Sequence, residues 1–249
     1  MSGHSKWATI KRKKSATDAK RGKIFTKLAR ELQIAARYGA DPDSNFRLRL
    51  VIDKAKAENM PKENIERAIR RGAGIGEDAE QLEEITYEAY APNGVALLIQ
   101  VVTDNRNRTV SEIRRMVTRA GGSMGESGSV AWLFDSKGYI TLSMNNLDED
   151  KVFELALEAG AEDVVFTDGI AEIYTAPADF ETVRKAFEDA HIEIETAELA
   201  MIPKTYVSLD PAETLKVMNL IEALEDLDDV AKVYSNLHIS DEALAQVEA

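Results

Sequence analysis

Residues 138–202 read GYITLSMNNLDEDKVFELALEAGAEDVVFTDGIAEIYTAPADFETVRKAFEDAHIEIETAELAMI. Along this stretch the spacing of apolar residues switches between a strand period and a helix period. Strand-like runs cover Tyr139–Met144, Asp163–Thr167, Ile170–Thr175 and Ile192–Met201. Helical runs cover about Asp148–Ala159 and Asp179–Ala190, and Asp168-Gly169 turns the central pair as a hairpin. Strand–helix–strand–strand–helix–strand is the split-βαβ, or ferredoxin-like, order.

The flanks form a second unit. Ile85 to Tyr90 and Val95 to Val102 read as strands joined at Pro92-Asn93-Gly94, followed by a helix over Thr109–Ala120 and a strand over Ser129–Phe134. After Pro203 come a strand near Tyr206–Leu209, a helix from Pro211 to Leu227 and a strand over Val230–Tyr234. These last elements are too few to stand alone. They complete the earlier ones, so residues 138–202 are expected as an insertion in a discontinuous α/β domain of residues 80–136 plus 204–240.

Residues 1–75 are expected as a basic helical domain with an N-terminal arm. The first helix runs from about Thr17 to Tyr38, with Gly39 as its stop. A second begins near Ser44 and ends before Asn59. A third begins at Pro61 and ends in Arg70-Arg71-Gly72, and Gly72 to Asp78 reads as a linker. The fold class is therefore α+β: an N-terminal three-helix domain followed by two α/β domains, one of them ferredoxin-like.

Charge is distributed unevenly over this plan. The formal net charge is −13, yet the first 30 residues carry ten lysines and arginines against one acid, Asp18. Up to Arg71 the balance is +11, and from Gly72 onward it is −24. Such asymmetry marks an element that meets a polyanion, tethered to a body that does not. Residues 1–16, with few large apolar side chains (Trp7 and Ile10), are expected to be a mobile arm. On the first helix Phe25, Leu28, Leu32 and Ala35 share one face, and Lys20, Lys23, Lys27, Arg30 and Arg37 fall roughly opposite. Lysine and arginine neutralise phosphates, and an aromatic among cations, such as Trp7, Phe25 or Tyr38, stacks on an unpaired base. The alternative is a solubilising tail, or a basic face that docks on the acidic body.

Other constellations carry less. Asp104-Asn105-Arg106-Asn107-Arg108-Thr109 lies between a strand and a helix. Arg106 and Arg108 would there hold phosphate or carboxylate, or Asp104 would pair locally with an arginine while Asn107 or Arg108 precedes a capped helix. The glycine-rich stretch Gly121–Ser129 lacks the Gly-Lys-Ser/Thr ending of a nucleotide phosphate loop and reads as a turn. His4, His191 and His238 show no metal-ligand spacing, and only His4 sits where it would touch a partner. The acids Glu222, Glu225, Asp226, Asp228 and Asp229 read as a solvated helix end. Cysteine is absent, which excludes disulfides and thiolate chemistry, and no run approaches the ~20 apolar residues of a membrane span. Neither a catalytic constellation nor a cofactor site emerges. The N-terminus lacks a signal peptide's apolar core, so a cytoplasmic chain is expected.

The opening Gly3-His4-Ser5-Lys6-Trp7 and the run Asp18 through Lys27 resemble the YebC/PmpR family, which includes the mitochondrial translational activator of cytochrome c oxidase subunit I. Further matches are Asn59-Met60-Pro61-Lys62, Asp104 through Thr109, Gly128-Ser129-Val130-Ala131, Leu157 through Asp163, and Met201-Ile202-Pro203. Ser2, where alanine is usual, and the turn Ala91-Pro92-Asn93-Gly94, where more glycine is common, depart from the pattern without touching a charged group. The resemblance implies a three-domain protein arranged around a cleft, with a cytoplasmic role in gene expression. Members are described as DNA-binding transcriptional regulators, and others resemble ribosome-associated translation factors.

Together these readings make the protein a non-enzymatic nucleic-acid-binding regulator, with DNA, or ribosomal RNA or tRNA on a ribosome, as partner. The expected contacts are Lys6, Trp7, Lys11, Arg12, Lys13, Lys14, Lys20, Arg21, Lys23, Lys27 and Arg30, with His4, Arg106 and Arg108 as secondary ones. No helix-turn-helix pair and no symmetric dimer signature stands out, so weak sequence specificity and a monomer are expected. The rival reading is an adaptor whose basic domain docks on an acidic protein.

Overall fold

A computed structural model describes residues 7, 18–75, 82–145, 147–167 and 169–248. In chain order the helices α1 (Asp18–Ala36), α2 (Phe46–Ala57) and α3 (Lys62–Gly72) precede strand β1 (Glu83–Tyr90), strand β2 (Ala96–Thr103), helix α4 (Arg106–Arg119) and the short strand β3 (Ser123–Met124). Next come β4 (Phe134–Ser143), α5 (Glu149–Ala159), β5 (Asp163–Thr167), β6 (Ile170–Thr175), α6 (Phe180–Asp189) and β7 (Ile194–Pro203). The chain ends in β8 (Val207–Ser208), α7 (Pro211–Glu225), β9 (Val230–Ser235), β10 (Leu237–His238) and α8 (Asp241–Glu248). Two units separate by contact: residues 134–204, and residues 1–133 together with 205–249.

In the larger unit, α1, α2 and α3 close around Leu28, Leu32, Ala35, Leu48, Ala55, Met60, Ile65 and Ala68. Asn45 ties the first two together. Its carboxamide oxygen caps α2 by accepting the Leu48 N–H at 3.0 Å, and its nitrogen donates to the carbonyls of Ala35 at 2.8 Å and Gly39 at 2.7 Å. The third helix approaches α1 at Gly72, where a Cβ would fall 2.1 Å from the Gln33 carbonyl oxygen. Backbone stands on both sides, so neither can rotate away. Gly72→Ala is therefore expected to lower stability by about 1–3 kcal/mol through overpacking. A urea midpoint equal to the parent's would refute that fit.

The same unit holds a four-stranded antiparallel sheet in the order β3-β1-β2-β9. Leu97, Ile99 and Val101 of β2 pack with Ile113 and Val117 of α4 and with Val217, Ile221 and Leu224 of α7. The other face of β2 is covered too: Val102 packs with Leu82 and with Ile34 of α1. Residues 129–133, expected as strand, instead form a turn and a 3-10 segment, and β4 begins at Phe134. The cause is Glu88 on β1. Its buried carboxylate accepts the backbone N–H groups of Gly128 and Val130 at 2.6 Å each and of Ala131 at 2.9 Å, which curls the chain around it. Burial alone would raise that carboxyl, but the three backbone bonds outweigh it and hold it below its ordinary value. The glycine-rich loop thus spends these donors on the chain's own carboxylate rather than on a phosphate.

In the smaller unit the sheet order is β5-β6-β4-β7, all antiparallel, which is the ferredoxin-like arrangement. Val152 and Ala156 of α5 and Phe180, Val183 and Phe187 of α6 are buried, as are Ile140 and Leu142 of β4. Gly138 lets α6 sit against β4, since a Cβ there would meet Thr175 Oγ1 at 2.2 Å and Phe180 at 2.5 Å. Of the expected Asp168-Gly169 turn, Asp168 lies outside the described residues and Gly169 takes φ +77°. Among the described residues no helix is long and apolar enough to cross a membrane.

Candidate nucleic-acid interface

Helix α1 carries its cations in two settings. Lys23, Lys27, Arg30 and Ile34 lie within one narrow stripe of the helix, and Ile34 at the end of that stripe is buried against Leu82 and Val102. The three cations follow it onto the acidic end of α7. Lys23 Nζ donates to the Asp226 carbonyl at 3.2 Å, Lys27 Nζ to the Glu225 carbonyl, and Arg30 Nη1 to the Asp228 carbonyl at 3.0 Å. A helix C-terminus leaves its last carbonyls without intrahelical partners, and cations are its natural caps.

Arg30 also reaches the carboxylate of Asp229, which is 6% exposed. That carboxylate is the hub of the unit. It accepts Thr109 Oγ1 at 2.6 Å, Arg108 Nη2 at 2.8 Å and Thr103 Oγ1 at 3.1 Å. Burial pushes its pKa up, but the bonds from Thr109, Arg108 and Arg30 prevail and bring it down to about 2. The acidic run expected as a solvated helix end is therefore structural at this position. Burial made the difference, because Asp229 turns inward just before β9.

The expected contacts scatter over several settings. His4, Lys6, Lys11, Arg12, Lys13 and Lys14 lie outside the described residues, as does the arm apart from Trp7. Trp7 is half-buried and packs against the core of the β3-β1-β2-β9 sheet. Lys20 stands on α1, and its side chain lies outside the described residues. Arg21 is exposed with no partner among the described residues. Arg106 opens α4, exposed and likewise unpartnered, whereas Arg108 pairs with Asp104 at 2.6 Å and with Asp229. The Arg108 bond is what holds the Asp104 carboxyl below its ordinary value. The local network is thus present at Asp104 and Arg108. The helix cap falls earlier than expected, at Asn105, whose side chain accepts the Arg108 N–H.

Arginines that the sequence reading passed over stand on the surface. Arg70 on α3 and Arg114, Arg115 and Arg119 on α4 are exposed and have no partner among the described residues. On α4 the apolar positions Ile113 and Val117 face inward, and the helix period alone then turns Arg114, Arg115 and Thr118 outward. The signal was available in the i, i+3, i+4 pattern.

An α+β chain whose basic helical segment precedes a split α/β sheet with a ferredoxin-like insertion is a narrow class. Residues 5–75 match the model of the TACO1/YebC protein N-terminal domain, and residues 82–237 match that of the TACO1/YebC second and third domain. The chain belongs to the TACO1/YebC family. It is 55% identical over 241 residues to a "probable transcriptional regulatory protein" of Trichlorobacter lovleyi, covering 96% of this chain and 97% of the relative. A protein of the same name from Roseiflexus castenholzii is 55% identical over 251 residues, covering 99% and 98%. Among solved structures, a conserved hypothetical protein from Aquifex aeolicus aligns with a TM-score of 0.83 at 46% identity, over 91% of this chain and 94% of that one.

Proposed function

We propose that the protein is a non-enzymatic, cytoplasmic, nucleic-acid-binding regulator of gene expression. The observation that carries this reading is the set of exposed guanidinium groups left without carboxylate partners. In a chain of net charge −13, Arg21, Arg70, Arg114, Arg115 and Arg119 all face solvent unpaired among the described residues. Acids outnumber them, and unpaired guanidinium groups are bidentate receptors for phosphate. The basic arm, through Lys6, Lys11, Arg12, Lys13 and Lys14, supplies the remaining phosphate contacts, and the acidic body limits indiscriminate binding. The relatives' shared name supports the regulatory role.

Structured RNA on a ribosome suits this reading better than a DNA operator, because phosphate contacts position a protein without specifying a sequence. Gradient sedimentation of a lysate tests it. Co-migration with ribosomes is expected, and it is expected to disappear when Lys11, Arg12, Lys13 and Lys14 are all changed to glutamate. A protein that stays in the top fractions would refute the ribosomal reading. The adaptor reading draws on Lys23, Lys27 and Arg30, which already grip carbonyls of protein. Pull-downs that survive nuclease, with no shift of any DNA or RNA probe, would replace the nucleic-acid reading with it.

A further inference from the structure

A groove of about 210 Å³ lies between α1 and α3. One wall is a single i, i+4 row of α1, Phe25–Ala29–Gln33, with Arg21 one turn before it. The other wall is an i, i+4, i+7 row of α3, Asn64–Ala68–Arg71, with Arg67 beside it. The walls meet closely where Gly72 packs on the Gln33 backbone. Met60 and Ala68, both buried, make part of the lining apolar.

Gln33 gives the groove its chemistry. The residue is only 6% exposed, yet its side-chain amide has no hydrogen-bond partner among the described residues. Its polar atoms are not sealed from water, so at the groove the carboxamide offers one donor group and one acceptor to a ligand that bears both. Such a pair of groups, side by side on a flat edge, is what a nucleobase presents. Phe25 supplies an aromatic surface on the same wall. Arg67, whose Nη2 donates to Asn64 Oδ1 at 2.7 Å, and Arg71 line the groove, and Arg21 stands one turn along α1 from Phe25. The volume is below the roughly 300–1,000 Å³ of sites that enclose a drug-sized ligand, so one ring system fits and a whole nucleotide does not.

We propose that this groove receives the base of an unpaired nucleotide, stacked against Phe25 and hydrogen-bonded to Gln33, while Arg21, Arg67 and Arg71 hold the phosphates on either side. The proposal rests on the nucleic-acid reading above and deepens it. The protein senses single-strandedness, because a base inside a duplex has neither its face nor its pairing edge free.

The test compares three probes on the full chain: a short RNA without self-complementarity, that RNA annealed to its complement, and the same strand made with abasic sites. Ala29→Met fills the groove, and Gln33→Leu removes only an unpartnered amide, so the second variant remains informative if the first folds poorly. Each is expected to weaken binding of the unpaired RNA roughly tenfold, the scale of losing one stacked base. Affinity for the duplex is expected to stay at the parent's value, and the parent is expected to bind the abasic strand about as weakly as the variants bind the intact one. If both variants hold the unpaired RNA as tightly as the parent, or lose unpaired RNA and duplex alike, the groove holds no base. In either case phosphate binding by the parent leaves the broader reading standing. A parent that binds none of the three probes overturns both.

Discussion

Asp229→Ala is expected to destabilise the protein by about 3–5 kcal/mol, the scale of breaking a buried ion pair by removing one partner. The alanine leaves Arg30, Arg108, Thr103 and Thr109 facing a vacancy in which four donated hydrogen bonds have lost their acceptor. The damage spreads because the donors come from α1, β2 and α4. Chemical denaturation reads the loss as a lower midpoint, and a variant within about 1 kcal/mol of the parent would show that the hub is dispensable. The same carboxylate makes a pH prediction. Its folded pKa of about 2 lies below its ordinary 3.8, so its contribution is present above about pH 4 and is lost as pH falls toward 2. That contribution is about 2 kcal/mol, and Asp229→Asn is expected to flatten this part of the acid limb.

Raising salt from about 50 to about 200 mM is expected to weaken binding of a short RNA about a thousandfold if about six phosphates are neutralised. That corresponds to about 4 kcal/mol. The slope also separates the cations. Lys23 and Lys27 are bonded to carbonyls at the end of α7, so changing both to glutamine is expected to leave the salt slope alone. Neutralising Lys11, Arg12, Lys13 and Lys14 is expected to flatten it by about one unit per residue that meets a phosphate. An affinity indifferent to salt would end the electrostatic account altogether.

Much of the architecture could be read from local patterns. Strands Asp163–Thr167 and Ile170–Thr175 appear within the bounds that their β-branched runs and intervening glycine mark. The helices over residues 149–159 and 180–189 follow their apolar periods, the first also capped by Asp148. What could not be read depended on partners far away in sequence. Residues 129–133 have strand-forming composition, but Glu88, some forty residues earlier, captures their N–H groups. Leu237–His238 is a strand only because Val207–Ser208 lies beside it. The cationic face of α1 reads either as a phosphate surface or as a basic face docked on the acidic body, and charge alone does not choose between them. Yet Ile34 lies in the same stripe as Lys23, Lys27 and Arg30, and an apolar residue there was the sign that the face is covered. For the candidate site the sequence marked the charge but not its allocation, which depends on where unpaired carbonyls and carboxylates end up.

The sheet order β3-β1-β2-β9 has a consequence for the order of events during synthesis. Strand β2 ends at Thr103, and the neighbour that completes its ladder begins only at Val230. Between them the whole of residues 134–204 emerges with all four of its own strands, Phe134 opposite Pro203. The guest can therefore finish folding while its host still lacks an edge. The acceptors of Lys23, Lys27 and Arg30, at Asp226, Glu225, Asp228 and Asp229, emerge only just ahead of that edge. For most of translation the nascent chain therefore shows Lys23, Lys27 and Arg30 without these internal acceptors, beside the RNA of the ribosome that makes it.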